Sequence, residues 1–170
     1  MQIILSIGSN IGNKKKNIEN AISLLRNEYN INILNISNFY ETEPFGYKEQ
    51  EWFFNIVLIG NTDLTPHNLL IACKKIETDL GRKKTTQWTE RIIDIDILMY
   101  SDLILNTIEL TIPHKYLHLR NFVLVPLNSI VPDIIHPIFN KTISQLLIEC
   151  PDISLVNLID NKTINKTDCI

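Results

Sequence analysis

Two carboxylates, Asp94 and Asp96, interrupt the otherwise apolar run RIIDIDIL at residues 91–98. Side chains alternate along a strand, so Ile93, Ile95 and Ile97 share one face while the two aspartates share the other, about 7 Å apart. Like charges at that spacing call for a counter-charge. A divalent cation is one answer, since Mg²⁺ takes one or two carboxylates, keeps several waters and accepts the oxygens of a phosphorylated substrate. A solvated sheet face on which Lys or Arg pairs with each aspartate is the other, and the pattern by itself divides evenly between them. The preceding loop, RKKTTQWTER, weighs toward the cation. Arg82, Lys83, Lys84 and Arg91, with Lys75 upstream, surround Trp88, and cations beside an aromatic plane and carboxylates suit a nucleoside triphosphate.

Further residues bear on a flat, polar-edged ligand. In FFNIVLI, Phe53 and Asn55 share one strand face, setting an aromatic ring beside an amide with both donors and acceptors, although a buried, hydrogen-bonded core Asn fits the pattern equally. Glu77 borders the apolar seam of a helix, either as a boundary charge or as the holder of a loop cation. In PHKYLHLRNFVLVPL, His114, Arg120 and Phe122 supply a phosphate donor, a permanent cation and a second aromatic plate. The loop GSNIGNK matches neither common glycine-rich phosphate motif, and its glycines are read as turn residues.

The elements that must position these groups follow from period and punctuation. Residues 2–7 form an apolar strand, and Ile18, Ala21, Ile22, Leu25 and Tyr29 recur at helical spacing. Strands are predicted over 32–40 and 52–60, separated by ETEPFGYKEQE. Thr65 is the N-cap of a second helix with Pro66 in its first turn, Leu69, Ala72, Cys73, Ile76 and Leu80 on one face, and Gly81 at its end. After the loop at 82–90 come the aspartate strand and, past the Ser101-Asp102 turn, a partner strand at 103–105. The order β-α-β-β-α-β predicts an α+β, ferredoxin-like sandwich, with an antiparallel sheet, helices on one face, and an additional C-terminal helix and loop segment.

Bulk properties narrow the function classes. The 170 residues, 45% hydrophobic and 21% charged, suit one domain over 1–160, with a frayed tail at 161–170. A net charge of −3 argues against nucleic acid or an anionic membrane as partner. The start MQIILSIGSN has no basic segment before its apolar run, so a cytoplasmic location is expected. Cys73, Cys150 and Cys169 fit neither a disulfide framework nor a zinc pattern and are read as reduced, structural thiols.

The stretches IGSNIGN, FYETEPFG, FFNIVL, RIIDIDIL and TIPHKYLHLRNFVLVPLNSIVPDIIHP, in this order and spacing, resemble the 6-hydroxymethyl-7,8-dihydropterin pyrophosphokinase family over residues 1–140. The D-x-D strand and the PH…R-x-FVL-x-PL segment act as joint signatures. The resemblance implies transfer of diphosphate from ATP to the hydroxymethyl oxygen of a dihydropterin in folate biosynthesis, releasing AMP; a monomer is expected. It also implies that Asp94 and Asp96 hold two Mg²⁺ ions, with Arg82 and Arg91 assisting catalysis. Phe53 and Phe122 would sandwich the pterin, and Asn55, with Thr42 and Phe45, would read its edge. Glu77, Lys84, Trp88, Arg91, Thr111, His114 and Arg120 fall where the family contacts ATP.

Several positions depart from the family pattern. Thr89 and Glu90 follow Trp88 where Gly-Pro is usual, Gln87 precedes it, Lys84 stands for an arginine, and Lys115 follows His114 where an aromatic is common. Lysine keeps the charge but loses the bidentate fork, so altered ATP contacts are expected with the reaction type unchanged. The loops at 41–51 and 82–90 are long enough to close over substrates. Two rival readings are a binding module without catalysis, which would form no AMP, and a metal-dependent nuclease, which the net charge opposes.

The alternation in RIIDIDIL generates a first expectation. Asp96→Ala should abolish AMP formation while leaving a folded protein by circular dichroism, because the isoleucine face is untouched. AMP formation near the wild-type rate by the folded variant would reject the metal role.

Overall fold

The computed structural model describes residues 1–44, 49–82 and 90–159. In chain order its main elements are β1 (Gln2–Ser9), α1 (Lys14–Asn27), β2 (Asn32–Ile36), β3 (Tyr40–Thr42), β4 (Phe53–Asn61), α2 (Pro66–Asp79) and β5 (Asp94–Tyr100). Two short strands, β6 (Leu105–Asn106) and β7 (Thr111–Ile112), precede α3 (Asn121–Ile130). The chain then runs through β8 (Ile135–His136), β9 (Lys141–Thr142), α4 (Ile143–Glu149) and β10 (Val156–Leu158). The result is a mixed α/β fold with an antiparallel sheet and, among the described residues, four α-helices. The expected tail at 161–170 and the site candidates Phe45, Lys84 and Trp88 lie outside the described residues.

The main sheet runs β10-β3-β4-β1-β5, with β2 also paired to β4. One strand is predicted over 32–40, whereas two form. The break falls at Ser37, whose N–H donates to the Val57 carbonyl at 2.9 Å and whose hydroxyl accepts the Val57 N–H at 3.0 Å. A single serine thus continues the ladder where the strand stops. The expected cap at Thr65 forms, accepting the Asn68 N–H at 3.3 Å, and the Asn13 side chain caps α1 by accepting the Lys16 N–H at 3.0 Å. Gly81, just past α2, has φ +94°, the left-handed conformation that favours glycine.

Alternate residues of the inner strands feed two separate cores. Ile3, Leu5 and Ile7 of β1, with Ile56 and Leu58 of β4 and Ile95 and Ile97 of β5, pack against Ile18, Ala21 and Leu25 of α1 and Leu69, Cys73 and Ile76 of α2. Each fully buried Ile or Leu is worth about 1.5–3 kcal/mol. On the opposite face Ile4, Val57, Ile59, Leu98 and Met99 meet Val123, Leu124 and Leu127 of α3 and Ile143 and Leu146 of α4. Both faces are therefore covered by helices, which corrects the expectation of helices on one face. The run FVLVPL is apolar enough to need a sheet face to cover, and Pro126 is accommodated inside α3. The partner strand expected at 103–105 is also corrected. Ser101 takes φ +46°, the Leu103 N–H turns back to the Tyr100 carbonyl at 3.0 Å, and Leu105–Asn106 pairs with Thr111–Ile112 instead.

His136 ties the β8–β9 hairpin together. It is 2% exposed, and its Nδ1 accepts the N–H groups of Ile138 and Phe139 at 3.3 and 3.4 Å. Burial, with His118 nearby, pushes its pKa down to about 4. The unfolded chain then takes up a proton near the ordinary histidine value while the folded one does not. Stability from this group is full above about pH 6.5 and is lost as pH falls toward 4. Urea unfolding at pH 7 and pH 4.5 should show this loss, on the order of 2 kcal/mol. His136→Asn, which offers a non-titrating acceptor, should remove most of that contribution; an unchanged pH dependence would contradict it.

Candidate active site

The register of β1 brings the chemistry-bearing residues into rows. Gly8 stands opposite Asn55 of β4 on one side and Asp94 of β5 on the other, and Ser6 stands between Val57 and Asp96. Paired residues of an antiparallel sheet share a face, so Asn55, Gly8, Asp94, Ser6 and Asp96 form one floor. Tyr40 pairs with Asn55 and Thr42 with Phe53, which carries the floor onto β3. Helices α3 and α4 cover the far half of this face through Ile4, Val57 and Ile59. Over the near half lies a cavity of about 700 Å³.

Gly8 permits the central contact of that floor. A Cβ there would lie 2.3 Å from the Asn55 Oδ1, so the carboxamide rests on bare backbone. Its Nδ2 donates to the Thr42 hydroxyl at 2.7 Å, which fixes the amide's orientation. Reading GSNIGNK as a turn holds for Gly12, at φ +63°, while Gly8 belongs to the strand.

The two aspartates sit in unlike surroundings. Burial pushes the Asp94 carboxyl up, but Arg91 and Arg82 outweigh it and leave the carboxyl below its ordinary range. Arg82 Nη1 reaches Asp94 at 2.5 Å, and Arg91 donates to the other oxygen. Asp96 is pushed above its ordinary range by burial and by the charge of Asp94. Among the described residues no hydrogen bond or ion pair reaches its carboxylate. Burial lowers the His114 pKa, with Asp96 opposing the shift. Behind β5, the buried Glu77 accepts the Ile95 N–H at 2.8 Å and pairs with Lys74 at 3.0 Å and Arg82 at 2.6 Å. Burial raises its pKa despite those cations.

The remaining wall comes from the segment after β7. The His114 N–H donates to the Leu98 carbonyl at 2.9 Å, which docks the segment on the outer edge of β5, and His114 Nδ1 accepts the Tyr116 N–H at 3.2 Å. The Arg120 guanidinium lies 5.0 Å from the Tyr116 ring and 5.6 Å from the Phe122 ring, within cation–π range of both. The cavity thus offers an aromatic and amide end at Phe53, Asn55 and Thr42, and an ionic end at Asp94, Asp96, Arg91, His114 and Arg120. Asp94 and Asp96 are the donors that could hold a divalent cation. No group of three His, Cys, Asp or Glu side chains able to hold a metal occurs among the described residues, so most of the ion's ligands would have to be water or substrate oxygens.

A family model described as 7,8-dihydro-6-hydroxymethylpterin-pyrophosphokinase matches residues 4–132. The chain belongs to this pyrophosphokinase family. The pyrophosphokinase of Aquifex aeolicus is 41% identical over 143 residues, covering 84% of this chain and 88% of that one. The folic acid synthesis protein fol1 of Schizosaccharomyces pombe is 43% identical over 162 residues, 94% of this chain but 22% of its own length. The chain spans a quarter or less of such longer relatives, 25% for the Dictyostelium discoideum protein. The solved Plasmodium falciparum HPPK-DHPS superposes over 87% of this chain and 43% of its own at a TM-score of 0.68 and 20% identity, a likeness of fold.

In this pyrophosphokinase-family chain the cavity gathers most of the residues to which the sequence points: Thr42, Phe53, Asn55, Arg91, Asp94, Asp96, His114, Arg120 and Phe122 all line it. Arg82 and Glu77 stand behind its ionic end, and the Thr111 hydroxyl donates to Asn106 at 3.3 Å, away from the lining. Ser6, Gly8, Glu43, Gln50, Tyr116 and Leu119 also line the cavity, and the sequence patterns above do not single them out. The available signal for Ser6 and Gly8 is that both are small residues at alternate positions of an apolar strand. Tyr116 sits one residue beyond Lys115, whose ammonium lies 5.1 Å from its ring.

The Gly8–Asn55 contact yields a double-mutant cycle. Gly8→Ala should cost about 1–3 kcal/mol of stability by overpacking. The same change in an Asn55→Ala background should cost much less, because the obstructing amide is gone. Additive costs in denaturant titrations would show that the contact is not the cause.

Proposed function

We propose that this chain transfers the diphosphate of ATP to the hydroxymethyl oxygen of 6-hydroxymethyl-7,8-dihydropterin, giving the pterin diphosphate and AMP in folate biosynthesis. The observation that carries this reading is the row Asn55–Gly8–Asp94, which joins a heterocycle-reading amide to an acidic, cation-demanding centre across one strand of one cavity. The family to which the chain belongs and its near full-length bacterial relative support it.

In this reading Phe53 and Phe122 stack on the pterin, and Asn55, oriented by Thr42, reads its polar edge. The hydroxymethyl oxygen attacks the β-phosphorus, the bond from that phosphorus to the α–β bridging oxygen breaks, and AMP carries that oxygen away. The hydroxyl proton passes to solvent or to a phosphate oxygen. Positioning and charge neutralisation outweigh any need for a strong base. Asp94 and Asp96 would hold two Mg²⁺ ions, which supply charge neutralisation and alignment of the triphosphate. Arg82 and Arg91, the partners of Asp94 in this structure, are then available to phosphate oxygens, with His114 and Arg120 also lining the cavity. Glu77, Lys84, Trp88 and Thr111 complete the ATP side, and Phe45 the pterin side.

The strand order β5-β1-β4 followed by β2 and β3, with α1 and α2 on one face, supports a ferredoxin-like arrangement within one unit over 1–160. We read the enzyme as acting as a monomer. No helix of the described residues is long and apolar enough to cross a membrane. We read the enzyme as cytoplasmic, where ATP is supplied.

Incubation with ATP, Mg²⁺ and the hydroxymethyl dihydropterin should yield AMP and pterin diphosphate in equal amounts; pterin binding without AMP would leave only a binding module. Phe53→Ala and Phe122→Ala should each weaken pterin binding by roughly 1–3 kcal/mol, as for bases stacked on aromatic side chains, with ATP affinity little changed. Calorimetry giving wild-type pterin affinity in both variants would remove these rings from the site.

A further inference from the structure

Asn10 lies just past the end of β1 and is fully buried. Its Oδ1 accepts the Arg91 N–H at 2.6 Å, and its own N–H donates to the Arg91 carbonyl at 3.0 Å. Its Nδ2 donates to the Gln50 Oε1 at 3.1 Å and to the Glu51 carbonyl at 3.2 Å. One side-chain amide therefore ties together two chain segments that enter the cavity from different directions. Gln50 lines the cavity from the loop ahead of β4, three residues before Phe53, and Arg91 lines it from the segment three residues ahead of β5, paired to Asp94. A clamp serving stability alone needs neither end in the cavity. Here both ends are in it.

We infer that Asn10 is a positioning residue that couples the two halves of the site, so that occupation of the aromatic and amide end sets the arginine at the ionic end, and the reverse. The inference rests on the pyrophosphokinase reading above. The chemistry suits the task, because a carboxamide is a donor on one arm and an acceptor on the other. It can hold a backbone N–H and a carbonyl at once, which a carboxylate or a hydroxyl of that size cannot do in the same geometry. A shift of either segment moves the amide and lengthens the bond on the other arm. Binding that fixes one segment thereby fixes the other, and this reciprocity is what linkage requires of a coupling element. Lys14, which donates to the Trp52 carbonyl at 2.7 Å, anchors the Gln50 segment to α1.

The test measures pterin affinity with and without a bound Mg²⁺–ATP analogue that cannot be cleaved. The wild type should bind pterin more tightly with the analogue present, by at least about five-fold. In Asn10→Ala, and in Asn10→Asp, which keeps the acceptor for Arg91 but loses the donor to Gln50 and Glu51, the ratio should fall to about one. Pterin affinity without analogue should change less, a split that general loosening would not produce. Amide exchange on the wild-type protein gives a second readout that does not depend on the variants folding: pterin alone should slow exchange of the Arg91 amide. Folded variants that keep the wild-type ratio, a wild-type ratio of one, or an Arg91 amide indifferent to pterin would each overturn the coupling role. Failure of the wild type to bind either ligand would instead overturn the pyrophosphokinase reading.

Discussion

Everything in the cavity depends on the register in which β1 lies between its neighbours. With Gly8 opposite both Asn55 and Asp94, an amide, a glycine and a carboxylate share one face, while the isoleucines beside them face α1 and α2. A slip of one residue would turn Asp94 and Asp96 into a hydrocarbon core and bring Ile95 and Ile97 out of it. Burying two unpaired carboxylates costs far more than the sheet could recover, so the same residues that serve the site also exclude the wrong pairing.

That register concentrates charge, and the surrounding chain distributes the compensation unevenly. Asp94 receives two arginines, and the carboxylate of Asp96 receives none of the described cations directly. Arg82 is itself shared with Glu77, a buried acid that also holds Lys74 and the backbone of Ile95. The ionic end is thus backed by a chain of alternating charges running from the surface of α2 to the cavity. Asp94 is paired within the protein, and Asp96 faces the cavity without a partner among the described residues.

Features with a short period are legible in the amino-acid sequence. The alternation in RIIDIDIL and FFNIVLI puts Asp94, Asp96, Phe53 and Asn55 on the right faces, and Thr65, Pro66 and Gly81 bound α2, because each signal lies within a few residues. The same alternation in IILSIGS marks Ser6 and Gly8, but the turn signal of GSNIGNK overlaps the glycine and masks it. The placement of α3 and α4 on the second face is not legible, since an apolar run does not say which surface it covers. Nor is the role of Asn10, whose side-chain partners stand 40, 41 and 81 residues away and leave no local trace. The pairing of 105–106 with 111–112 is hidden for a related reason: two-residue strands carry almost no pattern.

The inner strands answer to different neighbours at odd and even positions. Ile3, Leu5 and Ile7 belong with α1 and α2, whereas Ile4 belongs with α3 and α4 and Ser6 and Gly8 floor the cavity. In β4 the parity is reversed, with Phe54, Ile56 and Leu58 on the side of α1 and α2 and Phe53 and Asn55 on the cavity side. Divergence within one short segment is therefore split into two nearly independent ledgers. Helix-side positions can drift together with α1 and α2, trading one branched aliphatic for another, while the intervening residues stay bound to ligand geometry. A lineage can retune how firmly the domain holds together without rewriting what its floor touches.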